Sequence, residues 1–346
     1  MFRKSIVGLI FISALLLQAC SPSGTTEVSE LPDLGIIKVG YLPTSSYAPY
    51  FLGVEKGYFE EQGLTVELER FVSGSQMIAP LSAGQLDAGA GNPSTSMFNG
   101  AQQGLDMKVV CGAGAMTPGH YSIPFLVRTD LYESGEVLGP ADLQGKKIGV
   151  NVLRGNAEYI VAKVLEQGGL SVDDTELVTL AFPDTPVAMA NGAIDATVLP
   201  ATLASKTIKD GSAVVLLEGD EIGGDIQTMV TYFGKRFVDP ANKEIAVRFL
   251  MAYLKGLREL MDENWSDEEN LAIISEYTNL PPDLIQSTVK SYNDPNCEFL
   301  FPSLEDYQDY YISRGYTEYS EPLPLSNLID ETYKDEAVRR LGKYQE

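Results

Sequence analysis

The fold is decided by the sequence APYFLGVEKGYFEEQGL, residues 48–64. It follows a short apolar run, IKVGYL at residues 37–42, which has the composition of a strand. Within residues 48–64 apolar side chains recur at helical spacing as far as Gly63, and this predicts a helix that ends there. The next segment, TVELE at residues 65–69, alternates like a half-buried strand. Strand, helix and strand in this order predict a βαβ unit with a parallel sheet.

The same order of landmarks occurs twice in the chain. In the first half, KVG at residues 38–40 precedes a helix ending in EQGL and later the LDA of residues 86–88. In the second half, KIGV at residues 147–150 precedes a helix ending in EQGGL and later the IDA of residues 194–196. The glycine and the aspartate are 47 positions apart in the first half and 46 in the second. This repeat predicts two similar α/β lobes, in which both aspartates are structural turn residues.

The N-terminus has the features of an export signal. A basic start precedes an apolar run of about a dozen residues, shorter than the roughly 20 that a membrane-spanning helix needs. The run ends with LQAC, residues 17–20, which resembles a bacterial lipobox and predicts a lipid on Cys20; an ordinary secretion signal is the alternative. We therefore assign residues 1–19 to a lipoprotein signal peptide and residues 20–34 to a flexible tether. The expected location is the outer face of the cytoplasmic membrane or the periplasm.

Composition excludes several classes of function. The chain has 346 residues and a formal net charge of −23, which disfavours nucleic acid because phosphates need a basic surface. A single histidine leaves too few ligands for a zinc site, and we expect neither a metal nor a cofactor. Cys111 and Cys297 remain after the anchor cysteine. Export permits a disulfide between them, but their spacing alone does not establish one.

Length predicts two lobes, because about 325 residues after the leader exceed one comfortable core. The run YSIPFLVR, residues 121–128, predicts a strand leaving the first lobe, and residues 225–233 predict the return crossing. The mainly helical remainder is expected to pack on the first lobe. The predicted division is residues 35–127 plus 230–346 for lobe I and residues 128–229 for lobe II.

Four blocks together carry a family resemblance: residues 48–64, LDA at 86–88, DLQGKKIGV at 142–150 and GAIDA at 192–196. As a set they resemble the sulfonate, nitrate and thiamine-pyrimidine binding family of ABC-importer solute-binding proteins. The resemblance implies a two-lobed type II periplasmic-binding fold, with each lobe a mostly parallel sheet flanked by helices. It also implies a monomer that delivers its ligand to an ABC permease. Some family members are pyrimidine-forming enzymes with a cysteine-rich motif that this chain lacks.

The ligand cleft is predicted from the strand order. In open α/β sheets ligands bind beyond the carboxyl ends of the strands, so loops from both lobes should line a cleft between them. Hinge closure would then trap a small molecule without changing it chemically. The rule gives ten candidate ligand contacts: Tyr47, Tyr50, Ser75, Gln76, Asn92, Ser94, His120, Arg154, Asn156 and Asp184.

Several candidates have plain structural alternatives. Tyr47 is the leading contact because it lies in the first loop, although loop tyrosines also pack on adjacent helices. Ser75 begins a helix whose N–H groups suit an anion, but Ser75 and Ser94 also suit the role of N-cap. Arg154 is expected either to pair with an anionic ligand group or to be solvated. His120 is expected either to touch the ligand or to lie at the surface.

The chemistry of the candidate loops favours one class of ligand. They are rich in Tyr, Asn, Ser and Thr and contain one Arg and no Lys, which suits an uncharged aromatic heterocycle. Within the resembling family this points to a vitamin or precursor, such as riboflavin or the thiamine pyrimidine. The alternative is a small sulfonate or related anion held by Ser75, Gln76 and Arg154.

Two other kinds of protein could share this fold with an importer binding protein. An exported enzyme is disfavoured because the chain lacks a nucleophile elbow and a strict phosphate loop. A binding protein that serves a sensor receptor would have the same sequence features as one that serves a permease.

Overall fold

The computed structural model describes residues 34–290 and 292–345, which form two five-stranded sheets. Residues 1–33, with the predicted signal peptide, Cys20 and nearly all of the tether, lie outside the described residues. The strands are β1 (Ile36–Tyr41), β2 (Thr65–Arg70), β3 (Ala88–Gly91), β4 (Lys108–Met116), β5 (Phe125–Arg128), β6 (Lys147–Val150), β7 (Glu176–Thr179), β8 (Ala196–Val198), β9 (Ala213–Leu217) and β10 (Ile226–Phe233).

Helices connect most of these strands. In the described residues the α-helices are α1 (Ala48–Glu55), α2 (Tyr58–Glu61), α3 (Ile78–Ser82), α4 (Thr95–Gln102), α5 (Thr129–Glu133), α6 (Asn156–Gln167), α7 (Thr185–Ala190), α8 (Ala201–Lys209), α9 (Lys235–Val238), α10 (Lys243–Glu259), α11 (Glu268–Thr278), α12 (Pro282–Gln286), α13 (Phe301–Ser313) and α14 (Thr332–Leu341). The helix predicted up to Gly63 is divided into α1 and α2, because Gly57 adopts φ 73° and ends the first helical run.

The two sheets have the same strand order. The first is β2-β1-β3-β10-β4 and the second is β7-β6-β8-β5-β9. In each, a single strand runs antiparallel to its neighbours: β10 in the first sheet and β5 in the second. Each of these strands is the first one formed after the chain crosses from the other sheet. The predicted fold class, two mostly parallel α/β lobes, is confirmed.

The pairing of β5 differs from the sequence-based division. The pattern of residues 121–128 suggests a strand leaving the first lobe, whereas β5 pairs with β8 and β9 of the second sheet. Likewise the whole of β10 pairs in the first sheet. A strand joins whichever sheet completes its hydrogen bonds, and its own sequence does not identify that sheet. We therefore propose that the chain crosses between lobes at residues 117–124 and 218–225.

The repeated aspartates hold equivalent places in the two lobes. The Asp87 carboxylate accepts a hydrogen bond from the backbone N–H of Lys38 at 2.9 Å. The Asp195 carboxylate accepts one from the N–H of Lys147, also at 2.9 Å. An arginine side chain lies 3.1 Å from the first carboxylate and 3.2 Å from the second. These contacts support the interpretation of both aspartates as structural residues that fasten one strand to the next.

The C-terminal part of the chain covers the outer edge of the first sheet. The segment 292–298 runs beside β4, and the N–H of Gly112 donates to the carbonyl of Cys297 at 3.1 Å. Cys111 and Cys297 form a disulfide there, a pairing that their spacing in the sequence leaves open. The approach requires glycine at position 112, because a Cβ would lie 2.0 Å from the carbonyl oxygen of Glu298.

Helix α10 packs against lobe I through a cluster of aromatic rings. The ring of Phe249 lies 4.9 Å from that of Phe59 and 5.2 Å from that of Phe237. At Gly256 a Cβ would lie only 2.3 Å from the carbonyl oxygen of Pro49, so glycine lets α10 approach α1 closely. In the described part of the chain, no helix combines the length and the apolar character needed to cross a bilayer.

Replacing Glu244 by glutamine is expected to reduce stability at neutral and mildly acidic pH and to have little effect near pH 2. Arg340, whose guanidinium nitrogens lie 2.9 and 2.8 Å away, lowers the pKa of Glu244 to about 2, and Arg248 assists. Because the folded pKa is depressed, this stabilisation is present above the unfolded pKa of about 4.3 and is lost as pH falls towards 2. Because the Glu244 side chain is 37% exposed, we expect the substitution to lower the free energy of unfolding at neutral pH by about 1 kcal/mol.

Urea denaturation of both proteins at several pH values between 6.5 and 2.5 would measure the difference. Glu305→Gln is the matched control, because Glu305 is exposed and forms no ion pair within the described residues. A difference between Glu244→Gln and wild type that stayed constant across this range would contradict a stabilising ion pair.

Candidate functional site

A cavity between the two lobes lies beyond the carboxyl ends of their parallel strands; we call it the inner cavity. Lobe I contributes the loop after β1, including Thr44 and Tyr47, and Asn92 after β3. Lobe II contributes the start of α6 at Asn156 and the segment 198–200 after β8. The cavity volume is about 60 Å³, which is room for about four water molecules. This is the location that the strand-order rule predicts for a ligand.

None of the described residues that line the inner cavity is charged. The polar groups are hydroxyls and amides, and two aromatic rings lie among them: Tyr47 from lobe I and Phe182 from lobe II. Apolar contributions come from side chains such as Ile123 and Met229. Such a lining binds through ring contacts and hydrogen bonds rather than through an ion pair.

Tyr47 offers its ring rather than its hydroxyl. The side chain is 3% exposed, and its hydroxyl donates to the carbonyl oxygen of Ala90 at 2.7 Å. Burial raises the pKa of Tyr47 well above its ordinary value, so the hydroxyl stays protonated and keeps donating. The ring is therefore held against lobe I while it borders the cavity.

Two amides border the cavity from opposite lobes and are oriented by other groups. Asn92 donates from Nδ2 to the carbonyl of Thr228 at 2.5 Å, which leaves its Oδ1 as the atom available to a ligand. Asn156 accepts a hydrogen bond at Oδ1 from the Tyr307 hydroxyl, which leaves its Nδ2 available. Lobe I therefore presents an acceptor and lobe II presents a donor.

Two helix N-termini also meet the inner cavity. Helix α6 begins at Asn156, and both Asn156 and Ala157 line the cavity. Helix α8 begins at Ala201, and Pro200, immediately before it, lines the cavity too. The first backbone N–H groups of a helix have no partner within it, and the helix dipole adds positive potential. This side of the cavity therefore favours an oxygen acceptor or an anion.

Of the ten candidate contacts, three line the inner cavity: Tyr47, Asn92 and Asn156. Two others lie inside lobe I. Tyr50 is fully buried, with its hydroxyl 3.2 Å from the Oγ1 of Thr231. Ser94 caps α4 by accepting from the N–H of Met97 at 3.4 Å, which is the structural alternative that its position in the sequence allows.

Arg154 does not bring its charge to the inner cavity. Its side chain is exposed, and its guanidinium lies 5.0 Å from the centre of the Tyr316 ring. Its backbone is a contact between lobes, because Thr95 of lobe I donates to the Arg154 carbonyl from N at 3.2 Å and from Oγ1 at 2.8 Å. The left-handed φ of 58° turns that carbonyl towards Thr95 at some cost in backbone strain.

The remaining four candidates lie outside the inner cavity and are exposed or half-buried. Ser75 and Gln76 belong to the short 3₁₀ turn Gly74–Met77, with Gln76 exposed. Asp184 is exposed at the end of a similar turn. His120 lies in a separate surface pocket, 5.4 Å from the ring of Tyr292. A loop at the correct edge of a sheet directs only some of its side chains inwards, which the sequence alone does not resolve.

Thr228 and Met229 line the inner cavity but were not among the candidates. They lie near the start of β10, whereas the prediction considered only the carboxyl ends of parallel strands. Because β10 is antiparallel, its amino end lies at that same edge of the sheet, beside the carboxyl end of β3. The signal that could have found them is the crossing itself, since the first strand after a crossing starts at the cleft.

Helix α13 supports the lobe II wall of the cavity from behind. The Tyr159 hydroxyl on α6 donates to Asp306, and Tyr310 donates to Glu158 at 3.3 Å. On the same helix, the hydroxyl of Tyr311 donates to the carbonyl of Pro93 in lobe I at 3.1 Å. Helix α13 therefore contacts both lobes and holds the N-terminal turn of α6, which carries Asn156.

Two mixed α/β lobes with a cavity between them, at the carboxyl ends of their parallel strands, define a binding protein with the periplasmic-binding fold. The chain belongs to the NMT1/THI5-like family, whose model matches residues 44–264. Among its relatives, the binding protein YtlA of Bacillus subtilis (strain 168) is 24% identical over 289 residues, covering 83% of this chain and 81% of that protein. The riboflavin-binding protein RibY of Chloroflexus aurantiacus is 25% identical over 205 residues, covering 55% of each.

Solved structures show the same fold. The periplasmic nitrate-binding protein NrtA from Synechocystis PCC 6803 superposes with a TM-score of 0.72 at 15% identity, covering 90% of each chain. At that identity the likeness concerns the fold and not the ligand.

Proposed function

We propose that this protein captures a small nutrient in the inner cavity and delivers it to an ABC permease, and that the nutrient is an uncharged aromatic heterocycle. The observation that carries the proposal is the neutral lining, with one ring from each lobe, Tyr47 and Phe182. An acceptor on Asn92 and a donor on Asn156 would orient the edge of such a heterocycle. Stacking and hydrogen bonds would then replace ionic attraction.

Capture of a ring requires the lobes to separate. The inner cavity, about 60 Å³, is narrower than a heterocycle needs. The two crossings at residues 117–124 and 218–225 are the natural hinge, and the contact between Thr95 and Arg154 would open with it. A ligand that touches both lobes binds the closed form more tightly and shifts the population towards it. No bond in the ligand needs to change.

The ligand class follows the family and its relatives. RibY binds riboflavin by its name, and we propose a vitamin or a vitamin precursor, such as riboflavin or the thiamine pyrimidine, for this chain. We further propose that the protein acts as a monomer. A lipid on Cys20 would hold it at the outer face of the cytoplasmic membrane or in the periplasm.

A small oxyanion such as a sulfonate is the second candidate. The small volume of the inner cavity and the N-termini of α6 and α8 favour it. Its binding would differ from the sequence-based expectation, because Ser75, Gln76 and Arg154 do not line the inner cavity. The hydroxyl of Thr44 and the amide of Asn156 would serve in their place.

A thermal-shift screen of the unlipidated protein tests the proposal. The panel contains riboflavin, the thiamine pyrimidine, taurine, nitrate and bicarbonate. A true ligand raises the midpoint of unfolding by mass action, and a heterocycle should do so equally at low and high salt. Phe182→Ala is expected to weaken heterocycle binding about tenfold, because it removes one of the two rings. Calorimetric titration of wild type and variant would measure the loss.

Tyr132→Ala is the matched control for Phe182→Ala, because it removes an exposed ring away from the inner cavity. Binding of nitrate or taurine alone, weakened by salt and unaffected by Phe182→Ala, would favour the second candidate. Absence of any shift across heterocycles and oxyanions would overturn both.

A further inference from the structure

A second cavity, which we call the outer cavity, adjoins the inner one at the mouth of the cleft. Its volume is about 270 Å³, several times that of the inner cavity. The two share Leu42, Thr44 and Phe182, so the wall of one continues into the other. Lobe I, lobe II and the turn after α11 all contribute to it, which places it across the line where the lobes meet.

The walls of the outer cavity are mainly apolar. Phe71 and Val72 follow β2 on one side, and Phe182 and Pro186 face from lobe II. Leu280, after α11, closes a third side. Val72 is 56% exposed, so this wall leaves apolar surface open at the mouth of the cavity. This lining suits a flat ring or a short hydrocarbon chain.

Two cations border the same cavity. Arg70, the last residue of β2, is exposed, and its side chain forms no ion pair or hydrogen bond with the described residues. Lys206, on α8 of lobe II, pairs with Asp210 at 3.0 Å. The Asp210 carboxylate therefore neutralises part of the charge of Lys206. Arg70 instead stands beside an apolar wall with its guanidinium available.

We infer that the outer cavity is a subsite for an organic anion, with the apolar body between Phe71 and Phe182 and the anionic group on Arg70. Lys206 adds a second, weaker cationic contact from the opposite lobe. The inference rests on the proposed function and extends it. The heterocycle that enters the inner cavity is itself uncharged, as proposed, but the nutrient as a whole is an anion, because an acidic arm extends from the ring to Arg70. Contacts to both lobes at this mouth would also favour closure.

The fluorescent anion 8-anilinonaphthalene-1-sulfonate tests the subsite, because it joins an aromatic body to a single sulfonate. The full unlipidated protein is expected to bind it saturably, with enhanced emission. Arg70→Ala should weaken the affinity about fivefold, the size of an exposed ion pair, and Arg70→Glu should weaken it further. Salt should weaken binding to wild type more than binding to Arg70→Ala.

Two control variants establish whether the probe occupies the outer cavity. Lys209→Ala removes an exposed cation of α8 that does not line the outer cavity, and it should leave the affinity unchanged. Tyr132→Ala removes an exposed ring that lines neither cavity, and it should also leave the affinity unchanged. The probe titration uses no nutrient, so a failed nutrient screen does not count against the subsite. Equal affinity of wild type and Arg70→Ala, or emission that never saturates, would overturn the inference.

Discussion

Replacing both Cys111 and Cys297 by alanine is expected to lower the unfolding midpoint by about 5–10 °C, which corresponds to about 3–5 kcal/mol. The disulfide joins residues 186 positions apart, so it removes much of the conformational freedom of the unfolded chain. It also fastens the segment 292–298 to the exposed edge of β4, where only a few backbone hydrogen bonds hold it. Differential scanning calorimetry of the unlipidated protein would measure the change.

Two comparisons separate the effect of losing the S–S bond from the effect of substituting the side chains. Both cysteines are fully buried, so reductant added to the folded protein should change little until the chain opens. Protein refolded under reducing conditions keeps every core atom and lacks only the S–S bond, and its midpoint should fall close to that of the double variant. Midpoints of both forms within about 1 °C of wild type would contradict a stabilising role.

The sequence predicted those features of the fold that depend on local sequence patterns. The repeated aspartates identified the two lobes, and the structure shows Asp87 and Asp195 accepting the same hydrogen bond from the neighbouring strand of the sheet, β1 in one lobe and β6 in the other. The same patterns placed the cleft at the carboxyl edge of the sheets. Tyr47, Asn92 and Asn156 line the inner cavity there, because each lies in the loop or helix start that directly follows a strand.

The features that the sequence did not predict depend on contacts between segments far apart in the chain. Neither β5 nor β10 shows from its own residues which sheet it joins, and Thr228 enters the inner cavity only because β10 is antiparallel. Arg154 looked available to a ligand, but its side chain lies on Tyr316, some 160 positions later in the chain. Helical periodicity indicates that α13 has a buried face, but it does not indicate which helix the tyrosines of that face contact.

Helix α13 begins four residues after Cys297 and supports the site, and Tyr307 is the residue through which it acts. Tyr307 is fully buried, and its ring lies 3.9 Å from that of Tyr159, at an interplanar angle of 35°. Its hydroxyl donates to the Oδ1 of Asn156. That bond fixes which face of the Asn156 amide meets the inner cavity. A ligand that accepts from Nδ2 therefore depends on a helix that never touches it.

Tyr307→Phe is expected to cost about 1–3 kcal/mol of unfolding free energy, because it leaves a buried amide oxygen without its donor. Asn156→Ala should cost a similar amount by leaving the Tyr307 hydroxyl unpaired. The double variant should cost clearly less than the two single changes added together, since neither partner then remains. Urea denaturation of the four proteins measures this coupling, with the exposed Tyr132→Phe as control.

The same variants separate positioning from packing. If the amide is merely buried, Tyr307→Phe lowers stability and leaves the affinity for the panel ligand unchanged. If Tyr307 orients the amide, affinity falls by about tenfold as well, because the rotated amide presents oxygen where the ligand needs N–H. The stability loss and the affinity loss should then appear together in Tyr307→Phe but not in Tyr310→Phe, whose hydroxyl lies 3.3 Å from Glu158 and not on Asn156. Unchanged affinity in Tyr307→Phe would confine α13 to a structural role.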